Sequence, residues 1–296
     1  MFKTVAFDSL AAGPRLVVTG GIHGNEYCGP AAINRLMQAV DSGEVVLKKG
    51  VLECAPICNP EACRQGVRFV ERNLNRHLFP KEEKRFYEDS IDPALCALLD
   101  RADALLDLHS YASEGGPFIF LSGTNPEEKR FARALGVRDF VTGWSEAYGV
   151  AGKKGDREGQ GTTEYARLGG AVAVTLECGH HHNADAADVG YAAALRALDY
   201  LGMLREDCPA KRALPQKPET KEQRVVRMKT VFYRQEGTAW TRDFRHFDEV
   251  RAEEVLATLP DGKTIAAPED GFVILPKKDA AFGEEWFYFG AKTDFA

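Results

Sequence analysis

Leu16-Val17-Val18-Thr19-Gly20-Gly21-Ile22-His23-Gly24-Asn25-Glu26 decides the reading of this 296-residue chain. Four apolar or β-branched residues ending in paired glycines predict a buried strand that stops in a tight turn. Directly after it, Pro30 to Val40 carries Ala31, Ile33, Leu36, Met37 and Val40 at helical spacing, which predicts a helix. The same alternation continues. Strands are expected at Gly50–Ile57, Ala102–Leu108, Phe118–Leu121 and Ala171–Leu176, with helices at Asp92–Ala102, Pro126–Leu135, Thr163–Leu168 and Asp188–Leu204. Apolar strands separated by helices point to an α/β sheet covered on both faces. The pattern changes after Leu204. Glu206 to Arg224 reads as a Lys-, Glu- and Pro-rich linker, followed by short β runs at Val225–Tyr233, Glu254–Leu259, Thr264–Ala266, Gly271–Leu275 and Trp286–Phe289. Two domains are therefore expected, an α/β domain over residues 1–210 and a small all-β domain over 220–296.

Composition narrows the function classes. Hydrophobic residues at 44% and charged residues at 28% fit a globular protein rather than a disordered or fibrous chain. The net charge of −6, with no basic run, argues against a nucleic-acid backbone binder. No apolar stretch is long enough to span a bilayer, and Met1 to Asp8 lacks the apolar core of a signal peptide, so neither a membrane nor export is expected. Seven cysteines without paired spacing are expected to be free thiols in a reducing cytoplasm.

The chemistry gathers at strand ends. His23 and Glu26, three residues apart among glycines, offer the nitrogen and oxygen ligands that zinc accepts. His109 in Asp107-Leu108-His109-Ser110 ends another apolar strand, and ligands in open α/β sheets collect outside the carboxyl ends of strands. Two His and one carboxylate leave a position open for water, the catalytic arrangement. Cobalt, manganese and nickel suit the same ligands. Glu177, after four apolar strand residues in Val174-Thr175-Leu176-Glu177, is costly to bury unpaired. A general base explains its place. Asn59-Pro60, Arg68 and Asn73-Leu74-Asn75-Arg76 complete a polar cluster, in which guanidinium forks suit an oxyanion or a carboxylate. His180-His181-His182 is expected to line the rim of the same pocket, because neighbouring side chains in extended backbone diverge too far for a second metal site.

Together these motifs, in this order, resemble the succinylglutamate desuccinylase/aspartoacylase family, a branch of the zinc carboxypeptidase-like hydrolases. The resemblance implies an α/β fold with a mixed sheet flanked by helices and a smaller C-terminal β domain bordering the active site. It implies one zinc ion on His23, Glu26 and His109, Glu177 as base, Arg68 polarising the scissile carbonyl, and Asn75 with Arg76 holding a substrate carboxylate. The activity it implies is hydrolysis of the linear amide of a small N-acyl amino acid. A metallocarboxypeptidase acting on small peptides and a non-catalytic metal-binding protein are the rival readings, and a homo-oligomer stays open. Two positions depart from the family pattern. Asn73 stands where an Asp precedes Leu-Asn-Arg, and Glu164 stands where a substrate-gripping Arg is expected, with Arg167 nearby. Tyr288 has no motif to fix it as the expected C-terminal tyrosine.

Overall fold

The computed structural model describes residues 2–122, 124–150, 159–214 and 223–295. In chain order the first half contains β1 (Val5–Asp8), β2 (Arg15–Thr19), α1 (Cys28–Asp41), β3 (Val51–Ala55), α2 (Pro60–Gln65), α3 (Asp92–Leu99), β4 (Ala104–Tyr111), β5 (Phe118–Phe120), α4 (Pro126–Ala134), β6 (Asp139–Thr142) and α5 (Trp144–Val150). The second half contains α6 (Thr162–Leu168), β7 (Val172–His180), α7 (Ala186–Tyr200), α8 (Pro209–Ala213), β8 (Arg224–Tyr233), β9 (Ala239–Trp240), β10 (Asp248–Val250), β11 (Val255–Thr258), β12 (Thr264–Ala266), β13 (Gly271–Ile274) and β14 (Glu285–Thr293).

Eleven of these strands form one mixed sheet in the order β1-β3-β2-β4-β7-β5-β6-β8-β14-β13-β10. The centre is parallel, with β2 between β3 and β4 and β4 beside β7. The C-terminal strands extend this sheet rather than stand apart from it. β8 pairs in parallel with β6, and β14, β13 and β10 follow antiparallel, while β9, β11 and β12 make a separate small sheet. Within the expected linker 206–224, Pro209–Ala213 is helical and residues 215–222 lie outside the described residues.

Strand alternation assigns each face its task. Leu16 and Val18 of β2, Leu106 and Leu108 of β4, and Val174, Leu176 and Cys178 of β7 all enter one apolar cluster with α1, α4 and α7. Residues of the alternate face, Val17, Leu105 and Ala173, meet a second cluster with α3 and α6. With a side-chain period of two, Thr19, Asp107, His109, Thr175 and Glu177 share that second face toward the carboxyl ends. Apolar burial of one face and polar strand ends on the other place the site by register alone. Of the strands missed in the sequence, β1 and β6 are four residues long, with β1 mostly exposed, and β9 and β10 are two and three residues long. α2 and α5, at six and seven residues, are too short for a helical apolar repeat to develop.

Candidate metal centre and active site

β2 delivers the chain into the loop carrying His23 and Glu26, and the loop is pressed against α2. That short helix is coded locally. The Asn59 side chain accepts from the Ala62 N–H at 3.3 Å, Pro60 opens it, and Gly66 closes it in the left-handed region. A side chain on Gly24 would put its Cβ 2.0 Å from the carbonyl carbon of Ala62, so only glycine fits between His23 and Asn25. The Gly24 N–H donates to the Arg68 carbonyl at 3.2 Å, tying the loop to the segment just past α2.

His23, Glu26 and His109 converge, each buried, with one ligand atom from each within 4.8 Å of the others. Glu26 Oε1 lies 2.8 Å from His23 Nδ1, Oε2 lies 2.8 Å from His109 Nδ1, and the two ring nitrogens are 3.2 Å apart. Two imidazole lone pairs and a carboxylate facing a common point are a donor set that a divalent cation satisfies. The far side of each ring is fixed. His109 Nε2 donates to Asp107 Oδ2 at 2.8 Å, and His23 Nε2 donates to Asn73 Oδ1 at 3.0 Å. Asn73 thus orients His23 even though it replaces the expected Asp. Asp107 is fully buried and accepts further bonds from Thr19 Oγ1 at 2.6 Å and from Thr162 Oγ1 at the start of α6. Burial, then the Arg68 charge, pulls His23 down to about 4, so its ring is neutral as a ligand requires. Burial opposes a charged His109, yet Asp107 and Glu26 hold it well above its ordinary value.

Glu177 sits opposite His109 in the β4–β7 register. Burial is the main force on its carboxyl, lifting it to about 8, with His109 and Arg68 opposing and the Glu26 charge adding. Its Oε2 is buried without a hydrogen-bond partner among the described residues. Glu177 lies where two cavities meet. A cleft of about 470 Å³ runs past Asn25, Ser110, Glu114, His180, His181 and Phe244. A smaller pocket of about 70 Å³ is walled by His23, Asn75, Arg76, His109, Phe120, Trp144 and Tyr288.

The remaining expected residues surround this junction. Arg68 donates to Glu26 Oε1 at 2.9 Å and lines both cavities. Asn75 is placed by α6, its Oδ1 accepting from the Thr162 N–H at 2.9 Å. Arg76 borders the smaller pocket with its guanidinium already engaged: it donates to Glu285 Oε1 at 2.9 Å, to the Tyr148 hydroxyl at 3.0 Å and to the Asn75 carbonyl at 2.8 Å, and it stacks over Trp144. Tyr288 lies on the same wall and donates to Glu285 Oε2 at 2.7 Å. Glu164 also reaches that wall, paired with Arg167 Nη1 at 3.0 Å. Arg167 itself turns away to Glu128 at 2.8 Å and the Ala173 carbonyl. His180 and His181 line the larger cleft, where His181 Nδ1 lies 2.8 Å from Ser110 Oγ, while His182 is exposed.

Sequence reasoning missed Asp107, Glu285 and Lys277 as members of the site. The signal for Asp107 was present, since a residue two before His109 on a strand shares its face. Glu285 and Lys277 meet Arg76 and Arg68 only through the tertiary fold, and no spacing rule reaches across 209 residues. All seven cysteines are free thiols.

The likeness to known proteins agrees with this geometry. The sequence profile of the succinylglutamate desuccinylase/aspartoacylase catalytic domain matches residues 12–200. A succinylglutamate desuccinylase of Vibrio vulnificus is 22% identical over 299 residues, 96% of this chain and 82% of that protein. The aspartoacylase of Xenopus tropicalis is 29% identical over 126 residues, 38% of this chain, and the match spans only 39% of that relative's length; 40% of an aspartoacylase relative from Nostoc sp. is matched likewise. Among solved structures, a succinylglutamate desuccinylase/aspartoacylase from Rhodobacter sphaeroides superposes with a TM-score of 0.75 at 18% identity, covering 99% of this chain and 89% of that one. A product-bound ectoine utilization protein from Ruegeria pomeroyi gives 0.72 at 22% identity, covering 97% and 88%. At such identities the superpositions speak to the fold, and the profile match over most of the chain speaks to descent. By that match this chain belongs to the succinylglutamate desuccinylase/aspartoacylase family.

Proposed function

We propose that this protein is a zinc-dependent hydrolase that cleaves the amide bond of a small N-acyl amino acid. The observation that carries the reading is the buried, unpartnered Glu177 Oε2 beside the His23–Glu26–His109 trio. An isolated carboxyl group is expensive to bury, and its upward-shifted proton affinity suits a group that takes and returns a proton near neutral pH. Zinc held by His23, Glu26 and His109 would supply Lewis acidity and lower the pKa of water. Glu177 Oε2 takes the proton of the attacking water and passes it to the leaving nitrogen. Arg68, half-buried at the junction, donates to the scissile carbonyl as negative charge develops there. Asn75 and Arg76 border the substrate on the side of the smaller pocket, Arg76 acting alongside its bond to Glu285. Free thiols at all seven cysteines fit a reducing cytoplasm, and among the described residues no helix is long and apolar enough to cross a membrane.

The test is amine release by the zinc-loaded protein from a panel of N-acetyl and N-succinyl amino acids, with a chelator-treated control. Turnover that disappears with the metal is expected. Faster cleavage of dipeptides than of any N-acyl amino acid would assign the site to a carboxypeptidase instead.

A further inference from the structure

Lys277 stands at the same junction as Glu177 and Arg68, and no motif pointed to it. It is carried there by a built turn between β13 and β14. Leu275 adopts the left-handed region at φ +49°, a conformation strained for a non-glycine residue. Its N–H donates to His246 Nδ1 at 3.1 Å, and the Lys277 N–H donates to the Trp286 carbonyl at 2.8 Å. His246 and Trp286 are both buried, so the turn is held from beneath. Lys277 joins Arg68, Glu177 and Leu275 as the residues that line both cavities.

The charge around Lys277 is unbalanced. Its carboxylate partner is Glu285, at 3.6 Å, beyond hydrogen-bond reach. Glu285 is already satisfied, since Arg76 and Tyr148 donate to Oε1 while Tyr288 donates to Oε2. Arg76 and Lys277 therefore face one carboxylate; burial first, then the Arg68 and Arg76 charges, lower the Lys277 ammonium from its ordinary value, outweighing Glu285 and Glu284, which favour it. Like charges converge at a cavity wall only against their mutual repulsion, and an anion between them relieves it. Because the whole chain carries −6, an acidic substrate gains nothing from the long-range field and depends on local cations.

We infer that Lys277 takes a carboxylate of the substrate beside the carbonyl-polarising Arg68, and that Lys277 restricts this site to acidic amides. The inference rests on the hydrolase reading for the substrate's class but not for the anion. The carboxylate has two sources, the α-carboxylate of the amino acid or the far carboxylate of a dicarboxylic acyl group.

The test compares the wild type with Lys277→Met and Lys277→Arg, all zinc-loaded. One arm uses N-acetyl amino acids and their methyl esters, and the other uses mono-N-methylsuccinamide and its methyl ester. In one arm Lys277→Met is expected to raise KM about tenfold for the acid, with kcat and the ester nearly unchanged and partial rescue by Arg. The arm that responds names the source. Equal changes for acid and ester in both arms, or none, would overturn the inference. Calorimetric titration with succinate and N-acetylglycine gives a readout independent of turnover: affinity for at least one should fall about tenfold in Lys277→Met. If the wild type hydrolyses nothing yet binds in this Lys277-dependent way, the hydrolase reading fails and the anion site stands. Unaltered binding of both acids in Lys277→Met overturns the anion site.

Discussion

Replacing Asp107 by Asn should weaken zinc binding without unfolding the protein. Asp107 receives three donors, from His109 Nε2, Thr19 Oγ1 and Thr162 Oγ1, and it is fully buried on the central strand β4. Burial alone would raise its carboxyl, yet His109 and the two hydroxyls hold it below its ordinary value, so it stays charged against the ring. Asparagine keeps the size and one acceptor, but it removes the negative charge and can turn an N–H toward the N–H of His109. Loss of an orienting carboxylate behind a metal-bound histidine typically lowers affinity 10–100-fold, or about 1.4–2.7 kcal/mol. Competition against a chromogenic chelator measures that shift, and a thermal melt of the apo protein separates it from misfolding. The apo melt should fall only modestly, because His109 can shed its proton once the Asp107 charge is gone and so leaves no unpaired buried cation, which a guanidinium could not do. Wild-type zinc affinity in a folded Asp107→Asn protein would refute the claim that Asp107 supports the metal ligand.

Gly24→Ala should fail to bind zinc stoichiometrically in a metal analysis and lose about 1–3 kcal/mol in chemical denaturation, because its methyl group meets the backbone of Ala62. Glu285→Gln should lose about 3 kcal/mol at neutral pH by leaving the Arg76 guanidinium under-compensated. It should also flatten the acid limb of stability. Burial works against the Glu285 carboxylate, but Arg76 and Lys277 hold its pKa far below 4.5. The stability it contributes is therefore complete above about 4.5 and is lost as pH falls below that value. A wild-type acid-denaturation profile in Glu285→Gln would show that the pair is not what titrates.

The fold and the candidate metal trio were legible in the sequence for one reason: both follow from local order along the chain. The apolar runs of β2, β4 and β7 declare a buried parallel sheet, and a polar residue just past such a run has nowhere to go but the strand-end crevice. His23, Glu26, His109 and Glu177 all have that form. Pairings formed across the chain left no such trace. Arg76 resembles a free substrate clamp in sequence, and only folding brings Glu285 of β14 against it. Lys277 likewise reads as one of two adjacent surface lysines, until the left-handed Leu275 and the buried His246 turn it into the cavity. The junction of β8 with β6 was hidden for a related reason. The change of composition after Leu204 marks a change of structural class, and says nothing about whether the new strands join the old sheet.

The central claim is that Glu177 moves the proton for an amide hydrolysis at the His23–Glu26–His109 centre, and single-turnover kinetics of zinc-loaded Glu177→Gln test it most directly. The amide side chain preserves shape and keeps an acceptor but removes the base. The account predicts about one zinc per chain, as in the wild type, with hydrolysis slowed about 10²- to 10⁴-fold. Turnover close to wild type with zinc in place would contradict it, because another group would then be taking the proton.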